Sequence, residues 1–284
     1  MICNDMMLID FLLTWWPFIL LLAGVGAFSG FLAGLLGIGG GIVLVPALYY
    51  GFNMLGYDVS VTMHVAVGTS LAIIVPTGLS SARAHVRRGS VDQALVRRMA
   101  PGVLCGVLCG TFVAGLISGT DLKVFFAIAL LFLAGLMLYN RPRAVPADAG
   151  QSDNLRFPRL VGGVIGMVSS LVGVGGATMS VPYMTLGGIP VRSAVGTAAA
   201  LGLVISVPAA LGFMVIGWTA AGLPPFSVGY VNGAAWAIIV PFSVLAAPLG
   251  AHVAHNIPVG ALKKVFAAAV MIIALYMLWD AIGG

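Results

Sequence analysis

The residues best placed to do chemistry in this chain are glycines and hydroxyls, not charged groups. Gly37-Ile-Gly-Gly-Gly41 and Gly173-Val-Gly-Gly176 are two dense glycine clusters, each followed shortly by a proline, Pro46 and Pro182. Glycine has no Cβ, so the backbone at such a cluster can approach a ligand closely. Where a helix begins just after it, the unpaired first N–H groups and the partial positive charge of the N-terminus favour an anion. A proline is tolerated in the first turn of the helix that follows. Hydroxyls lie near in sequence at Ser170, Thr178 and Ser180, and Thr69, Ser70 and Thr197 offer more from neighbouring apolar segments. An anion site made of backbone amides and hydroxyls is the first chemical expectation. Plain packing competes with it, because glycine in membrane helices often serves only to bring helices close. Gly102, Gly106 and Gly110, continued by Ala114 and Ser118, form such a four-residue stripe and are expected to pack.

Ionisable candidates are few. The chain has eight Asp and no Glu, and none of the eight sits inside a long apolar run. This argues against Na⁺ or proton coupling through a buried carboxylate. His64 and Arg192 occupy matching places ahead of the two Val-Gly-Thr stretches. Either can help draw in an anion or carry a charge; the competing role is anchoring at a membrane interface. His85 lies among arginines and reads as a loop residue. His252 and His255 flank the end of a helix, where one could relay a proton. Cys105 and Cys109, one helical turn apart, read as packing residues, and with Cys3 they are too few for a disulfide framework or a four-ligand metal site. There is no His cluster, carboxylate pair or nucleophile–base arrangement, so neither an enzyme nor a metal or other cofactor is expected.

The elements that must position these groups are membrane spans. Of 284 residues, 61% are hydrophobic and 7% charged, and the mean hydropathy is +1.12. A soluble domain needs roughly 25% charged residues to cover its surface, so this surface faces something other than water. Seven apolar runs approach the ~20 residues a spanning helix needs: Phe11–Leu36, Val65–Ala82, Pro101–Ser118, Leu122–Tyr139, Ala194–Gly217, Val228–Val253 and Ala261–Trp279. Three more, Ile42–Phe52, Leu160–Val172 and Ala177–Gly187, are too short to span comfortably. The first run is too long for the core of a cleavable signal, and its flank carries Asp5 and Asp10 rather than Lys or Arg. The net charge of +5 comes from arginines grouped in connections, 83–98 and 141–159, which is the distribution of cytoplasmic loops and not of a nucleic-acid surface. Counting crossings from these loops puts both termini outside.

The chain repeats itself. Gly34-Leu-Leu-Gly-Ile-Gly-Gly-Gly-Ile-Val-Leu-Val-Pro46 matches Ser170-Leu-Val-Gly-Val-Gly-Gly-Ala-Thr-Met-Ser-Val-Pro182, Ala66-Val-Gly-Thr69 matches Ala194-Val-Gly-Thr197, and Gly110–Tyr139 tracks Gly250–Trp279. The charged connections of one half correspond to uncharged ones of the other, so the halves read as inverted copies. That is a recurring plan of secondary transporters, with the cargo held near the midplane where the repeats meet. The expected fold is an all-α polytopic membrane protein of two inverted repeats, about five helical segments each: residues 1–140, a cytoplasmic linker 141–159, and residues 160–284. The glycine clusters are either tips of re-entrant hairpins or breaks in full spans, and both geometries satisfy the crossing count.

A Gly-x-Gly-Gly-Gly stretch followed by Pro, then Ala-x-Gly-Thr-Ser, with both repeated in the second half, resembles the sulfite exporter TauE/SafE family. The resemblance covers about Gly30 to Trp279. It implies transport of sulfur oxyanions or organosulfonates, such as sulfite or sulfoacetate, across the cytoplasmic membrane of prokaryotes. The positions matching its glycine motifs are Gly37, Gly39, Gly40, Gly41, Gly173, Gly175 and Gly176, and those matching its Gly-Thr-Ser motif are Gly68, Thr69, Ser70, Gly196 and Thr197. Ala177 and Ala198 stand where Gly and Ser would complete the second copies, so the half-sites are expected to differ chemically. With Thr178 added, these residues form the expected substrate site of a secondary transporter working by alternating access. Pro76, Pro208, Pro241 and Pro248 are candidate hinges. A passive anion channel and a carrier of a non-sulfur organic anion are the nearest alternatives. The expected partners are a small anion and the lipid bilayer; a proton as coupling ion and a homodimer both stay open.

Overall fold

The structure is a computed structural model that describes residues 2–36, 40–139, 155–253 and 260–283. Gly37 and Gly39, and most of the expected linker with Arg141 and Arg143, lie outside the described residues, as does His255. The described chain is helical almost throughout: α1 (Ile2–Leu36), α2 (Gly41–Met54), α3 (Val59–Arg87), α4 (Gln93–Ala114), α5 (Gly119–Tyr139), α6 (Pro158–Val172), α7 (Ala177–Leu186), α8 (Val191–Ile216), α9 (Gly233–Val253) and α10 (Gly260–Gly283). Seven of these (α1, α3, α4, α5, α8, α9, α10) are long and apolar enough to cross a membrane. The chain is an all-α polytopic membrane protein. The three short apolar runs become α2, α6 and α7, at the expected places.

Two local readings change. The basic stretch 83–98 is not a loop: Arg83 and Arg87 belong to α3, Arg97 and Arg98 to α4, and only Arg88–Asp92 lies between them. The helices continue past their apolar cores, so the arginines decorate helix ends. The uncharged connection before α9 also carries a small antiparallel hairpin, β1 (Ser227–Val228) and β2 (Val231–Asn232), turned at Gly229 with φ +55°.

Helix starts are set by short polar caps. The Asp58 carboxylate accepts from Ser60 N–H (2.8 Å), Asp92 from Leu95 N–H (2.9 Å) and the Asn232 amide oxygen from Ala235 N–H (2.9 Å). Each satisfies a donor that the helix itself leaves unpaired. The proline inside α3 is compensated from a neighbouring helix, as a membrane favours. Pro76 removes the donor that would reach the Ala72 carbonyl, and the indole N–H of Trp236 on α9 takes that place at 3.1 Å. One residue on, the Thr77 hydroxyl donates to Ile73 O (2.9 Å) and lies 2.8 Å from the Ser243 hydroxyl of α9.

The helices pack with the halves exchanged. α1 lies along α9, α4 along α6, α3 along α8 and α5 along α10. The contacts repeat position for position. Gly26 abuts the Ile239 carbonyl, and Gly162, 136 residues later, abuts that of Met99. Gly30 meets Ser243 O and Gly166 meets Val103 O, while Gly250 meets Phe31 O and Gly110 meets Met167 O. A Cβ at any of these would collide with backbone, so the glycine stripe of α4 is a packing surface for α6. α5 and α10 are further tied by the Lys123–Asp280 ion pair at 2.6 Å. The Lys123 ammonium is buried and lies 5.1 Å from the centre of the Tyr49 ring.

Candidate functional site

Both glycine clusters end in the same backbone state. Gly40 (φ +73°, ψ −12°) and Gly176 (φ +74°, ψ −13°) are left-handed residues standing at the N-caps of α2 and α7. A left-handed φ is cheap only for glycine, and the turn it makes lets each helix start at the very next residue. Pro46 and Pro182 therefore fall in the second turn, inside the helices, rather than in the first as the sequence suggested. Gly173 (φ +71°) closes α6, and Val174 N–H returns to Ser169 O at 3.1 Å.

The two breaks touch. Gly41 packs directly on the Gly173 carbonyl, leaving no room for a Cβ, and Gly173 itself packs against Val45 and Val67. The Ser70 hydroxyl donates to the same Gly173 carbonyl at 2.8 Å, so α3 is fastened to the junction. Gly40, Gly41, Ser70 and Gly173 are thus brought together at the centre of the bundle. Gly175 lines an adjoining cavity of about 20 Å³ with Ala33, Gly78, Ser81, Ala198 and Gly202. Gly176 and Thr178 line a second, of about 10 Å³, with Ser169 and Val172. Each holds about one water at most.

Several hydroxyls at and near the junction are unsatisfied. The hydroxyls of Thr178, Ser180, Ser206 and Ser81 are buried and have no hydrogen-bond partner. Leaving a buried hydroxyl unpaired costs about 1–3 kcal/mol, so four of them ask for an explanation. Half one carries Ile42 and Leu44 where half two has Thr178 and Ser180, and both are fully buried. The two breaks therefore differ in the side chains buried beside them. Ser81 and Ser206 were not singled out from the sequence. A usable signal existed for Ser81: it falls on the same face of α3 as Ile74 and Gly78 by helical spacing, and all three line the cavity beside Gly175.

The Gly-Thr pairs of the two Val-Gly-Thr stretches have other partners. Gly68 abuts the Tyr230 carbonyl, and the Thr69 hydroxyl oxygen accepts from Asn232 N–H at 2.8 Å. In the other half Gly196 abuts the Ser90 carbonyl, and the Thr197 hydroxyl oxygen accepts from Asp92 N–H at 2.9 Å. Asn232 and Asp92 are the residues that cap α9 and α4. Each motif therefore holds the connection preceding a helix of the opposite half, forming two equivalent latches. His64 belongs to the first latch: its ring stacks on Tyr230 (centroids 4.8 Å apart) and its Nε2 lies 2.9 Å from the Ala114 carbonyl. A carbonyl only accepts, so Nε2 carries the proton, and Nδ1 is left buried with no partner. Arg192, at the matching position, is exposed in the first turn of α8.

Among the described residues no group of His, Cys, Asp or Glu is arranged to hold a metal ion.

Comparison with known proteins assigns this architecture. The family description "Sulfite exporter TauE/SafE" matches residues 22–277. The chain belongs to the sulfite exporter TauE/SafE family. A "Probable membrane transporter protein" of Haemophilus influenzae is 37% identical over 266 residues, covering 92% of this chain and 98% of its own length. A "Probable membrane transporter protein YunE" of Bacillus subtilis is 26% identical over 279 residues, covering 92% and 98%. A similarly named protein of Methanocaldococcus jannaschii is 24% identical over 259 residues, covering 91% and 94%. No solved structure matches the chain. The TauE/SafE match spans both glycine breaks and both latches, and the chain is a transmembrane transporter of this family.

Proposed function

We propose that this TauE/SafE protein is a secondary transporter that carries a small anion, a sulfur oxyanion or organosulfonate, across the cytoplasmic membrane by alternating access. The observation that carries the proposal is the cluster of buried, unpartnered hydroxyls at the break between α6 and α7. The first N–H groups of α7 have no acceptor within the helix, and the helix dipole adds partial positive charge there. Amides and hydroxyls together make an anion cradle without a fixed cation, and a modest affinity suits a cargo that must leave again. The α2 break, with Ile42 and Leu44, offers backbone N–H groups but no hydroxyls.

The cavities beside Gly175 and Gly176 are smaller than any sulfur oxyanion, so loading requires the halves to part. The latches are the gates in this reading. One hydroxyl–amide bond contributes about 0.5–1.5 kcal/mol net, little enough to open on the microsecond-to-millisecond scale of domain motions. Inverted halves would place the Thr69–Asn232 latch towards the outside and the Thr197–Asp92 latch towards the cytoplasm. Opening one while the other stays shut is alternating access. His64 Nδ1 in one latch and the Asp92 carboxylate in the other are groups able to take up a proton, which makes a proton the first coupling ion to examine.

The test is counterflow in proteoliposomes. Vesicles preloaded with unlabelled sulfite should accumulate labelled sulfite transiently, and acetate preloading should not support it. Flux without counterflow would replace the carrier by a channel, and counterflow with acetate alone would move the cargo outside sulfur chemistry. The same vesicles made with Thr178→Val should lose accumulation.

A further inference from the structure

A wider groove lies away from the glycine breaks. It measures about 480 Å³ and runs between α3 and α9, lined by Pro76, Leu79, Arg83, Arg87, Val244 and Pro248. With about 3.6 residues per turn, Pro76, Leu79, Arg83 and Arg87 fall on the side of α3 opposite Ile74, Gly78 and Ser81, which face the central cavity. The groove is therefore not a mouth of the cargo site. Its rim points to the bilayer: Leu79 and, on α9, Leu245 and Leu249 are exposed apolar side chains beside it. Arg83 and Arg87 are one turn apart at the C-terminal end of α3, exposed, and not paired with a carboxylate among the described residues. The groove is thus mostly apolar, with Ser80 an uncharged polar lining residue, and doubly cationic at the C-terminal end of α3.

We infer that this groove binds one anionic phospholipid of the cytoplasmic leaflet, its phosphate between Arg83 and Arg87 and part of an acyl chain along Leu79, Pro76, Val244 and Pro248. Guanidinium groups hold phosphate by charge-assisted, often bidentate hydrogen bonds. Basic pockets between membrane helices on the cytoplasmic side are suited to such headgroups. Most of the lining belongs to α3 of the first half, with Val244 and Pro248 contributed by α9 of the second. The bound lipid therefore bridges the two halves beside Pro76, near where Trp236 and Thr77 already stitch them together.

The test is native mass spectrometry of the full chain in neutral detergent, titrated with phosphatidylglycerol or with phosphatidylcholine of the same acyl chains. Thermal unfolding of the same samples is followed in parallel. Two arginine contacts predict that phosphatidylglycerol binds roughly 30-fold more tightly than phosphatidylcholine. Arg83→Gln with Arg87→Gln should abolish that preference while leaving the unfolding temperature in detergent alone unchanged. Arg97→Gln with Arg156→Gln, removing the same charge from exposed sites elsewhere, should keep it. Equal binding of the two lipids, or an unaltered preference in the Arg83/Arg87 variant, overturns the inference. So does an equal loss in the control variant, which would make the effect one of the general surface field. Stabilisation of the wild type by inorganic phosphate with none added by phosphatidylglycerol would also overturn it, in favour of a soluble anion.

Discussion

Thr178→Val should make the empty protein more stable and the transporter worse. Valine keeps the shape of threonine and deletes a hydroxyl that is buried, 4% exposed, and bonded to nothing in the protein. An unpaired buried hydroxyl costs about 1–3 kcal/mol, so taking the low end its removal returns about 1 kcal/mol. In a chain of this size that raises the unfolding temperature by about 2 °C. With an anion bound, the same hydroxyl donates a charge-assisted hydrogen bond worth about 1.5–3 kcal/mol, so the variant should bind sulfite roughly 10- to 150-fold more weakly. Ser170→Ala is the internal control. That hydroxyl donates to Met167 O at 2.9 Å, so its loss should lower stability by about 1 kcal/mol and leave anion affinity unchanged. Thermal unfolding across a sulfite titration reads both quantities, since ligand stabilisation follows concentration over dissociation constant. A valine variant less stable than wild type when empty, or one with a sulfite dissociation constant within twofold of wild type, refutes the reasoning.

Gly41→Ala should cost about 1–3 kcal/mol through overpacking against the Gly173 carbonyl, read as lost expression or a lowered unfolding temperature. Thr69→Val and Thr197→Val each strip the acceptor from one loop N–H. Reporter cysteines beside Asn232 and Asp92 should become more reactive to an impermeant thiol reagent in opposite variants, and identical profiles would deny that the latches act as separate gates. Trp236→Phe should destabilise by about 1–3 kcal/mol because it orphans the Ala72 carbonyl. Adding Pro76→Ala should recover much of the loss, since alanine restores the missing helical donor.

Much of the fold could be read in advance because its causes are local. The seven long runs, the three short ones and the four-residue glycine stripe each follow from periodicity and length. The pairing of halves could be anticipated from the repeat, but the exchange of α1 and α6 between them could not. Glycine–carbonyl contacts such as Gly30 with Ser243 join residues too distant in sequence to announce each other. The same limit hides the partners of Thr69 and Thr197. Their hydroxyls looked available to a ligand because the N–H groups they serve, at Asn232 and Asp92, are more than a hundred residues away. Pro46 and Pro182 were misplaced by one turn because a left-handed glycine at a helix start leaves no trace in the sequence except glycine itself. The asymmetry of the junction was foreshadowed at Ala177, yet its main expression, hydroxyls in one half against Ile42 and Leu44 in the other, needed the burial of each side chain.

The exchanged packing also bears on how the protein is made. α1 is synthesised first, but the carbonyls that fill the space over Gly26 and Gly30 belong to α9. At roughly 5–20 residues per second, the nearly 200 residues between them take about 10–40 s to appear. For that time the glycine face of α1 has only lipid or the insertion machinery against it, while α4 can close on α6 much sooner. Assembly is therefore expected to run from the middle of the chain outward. A ribosome stalled in the linker would leave in the membrane not half a transporter but four apolar spans whose closest-fitting surfaces are still waiting for their partners.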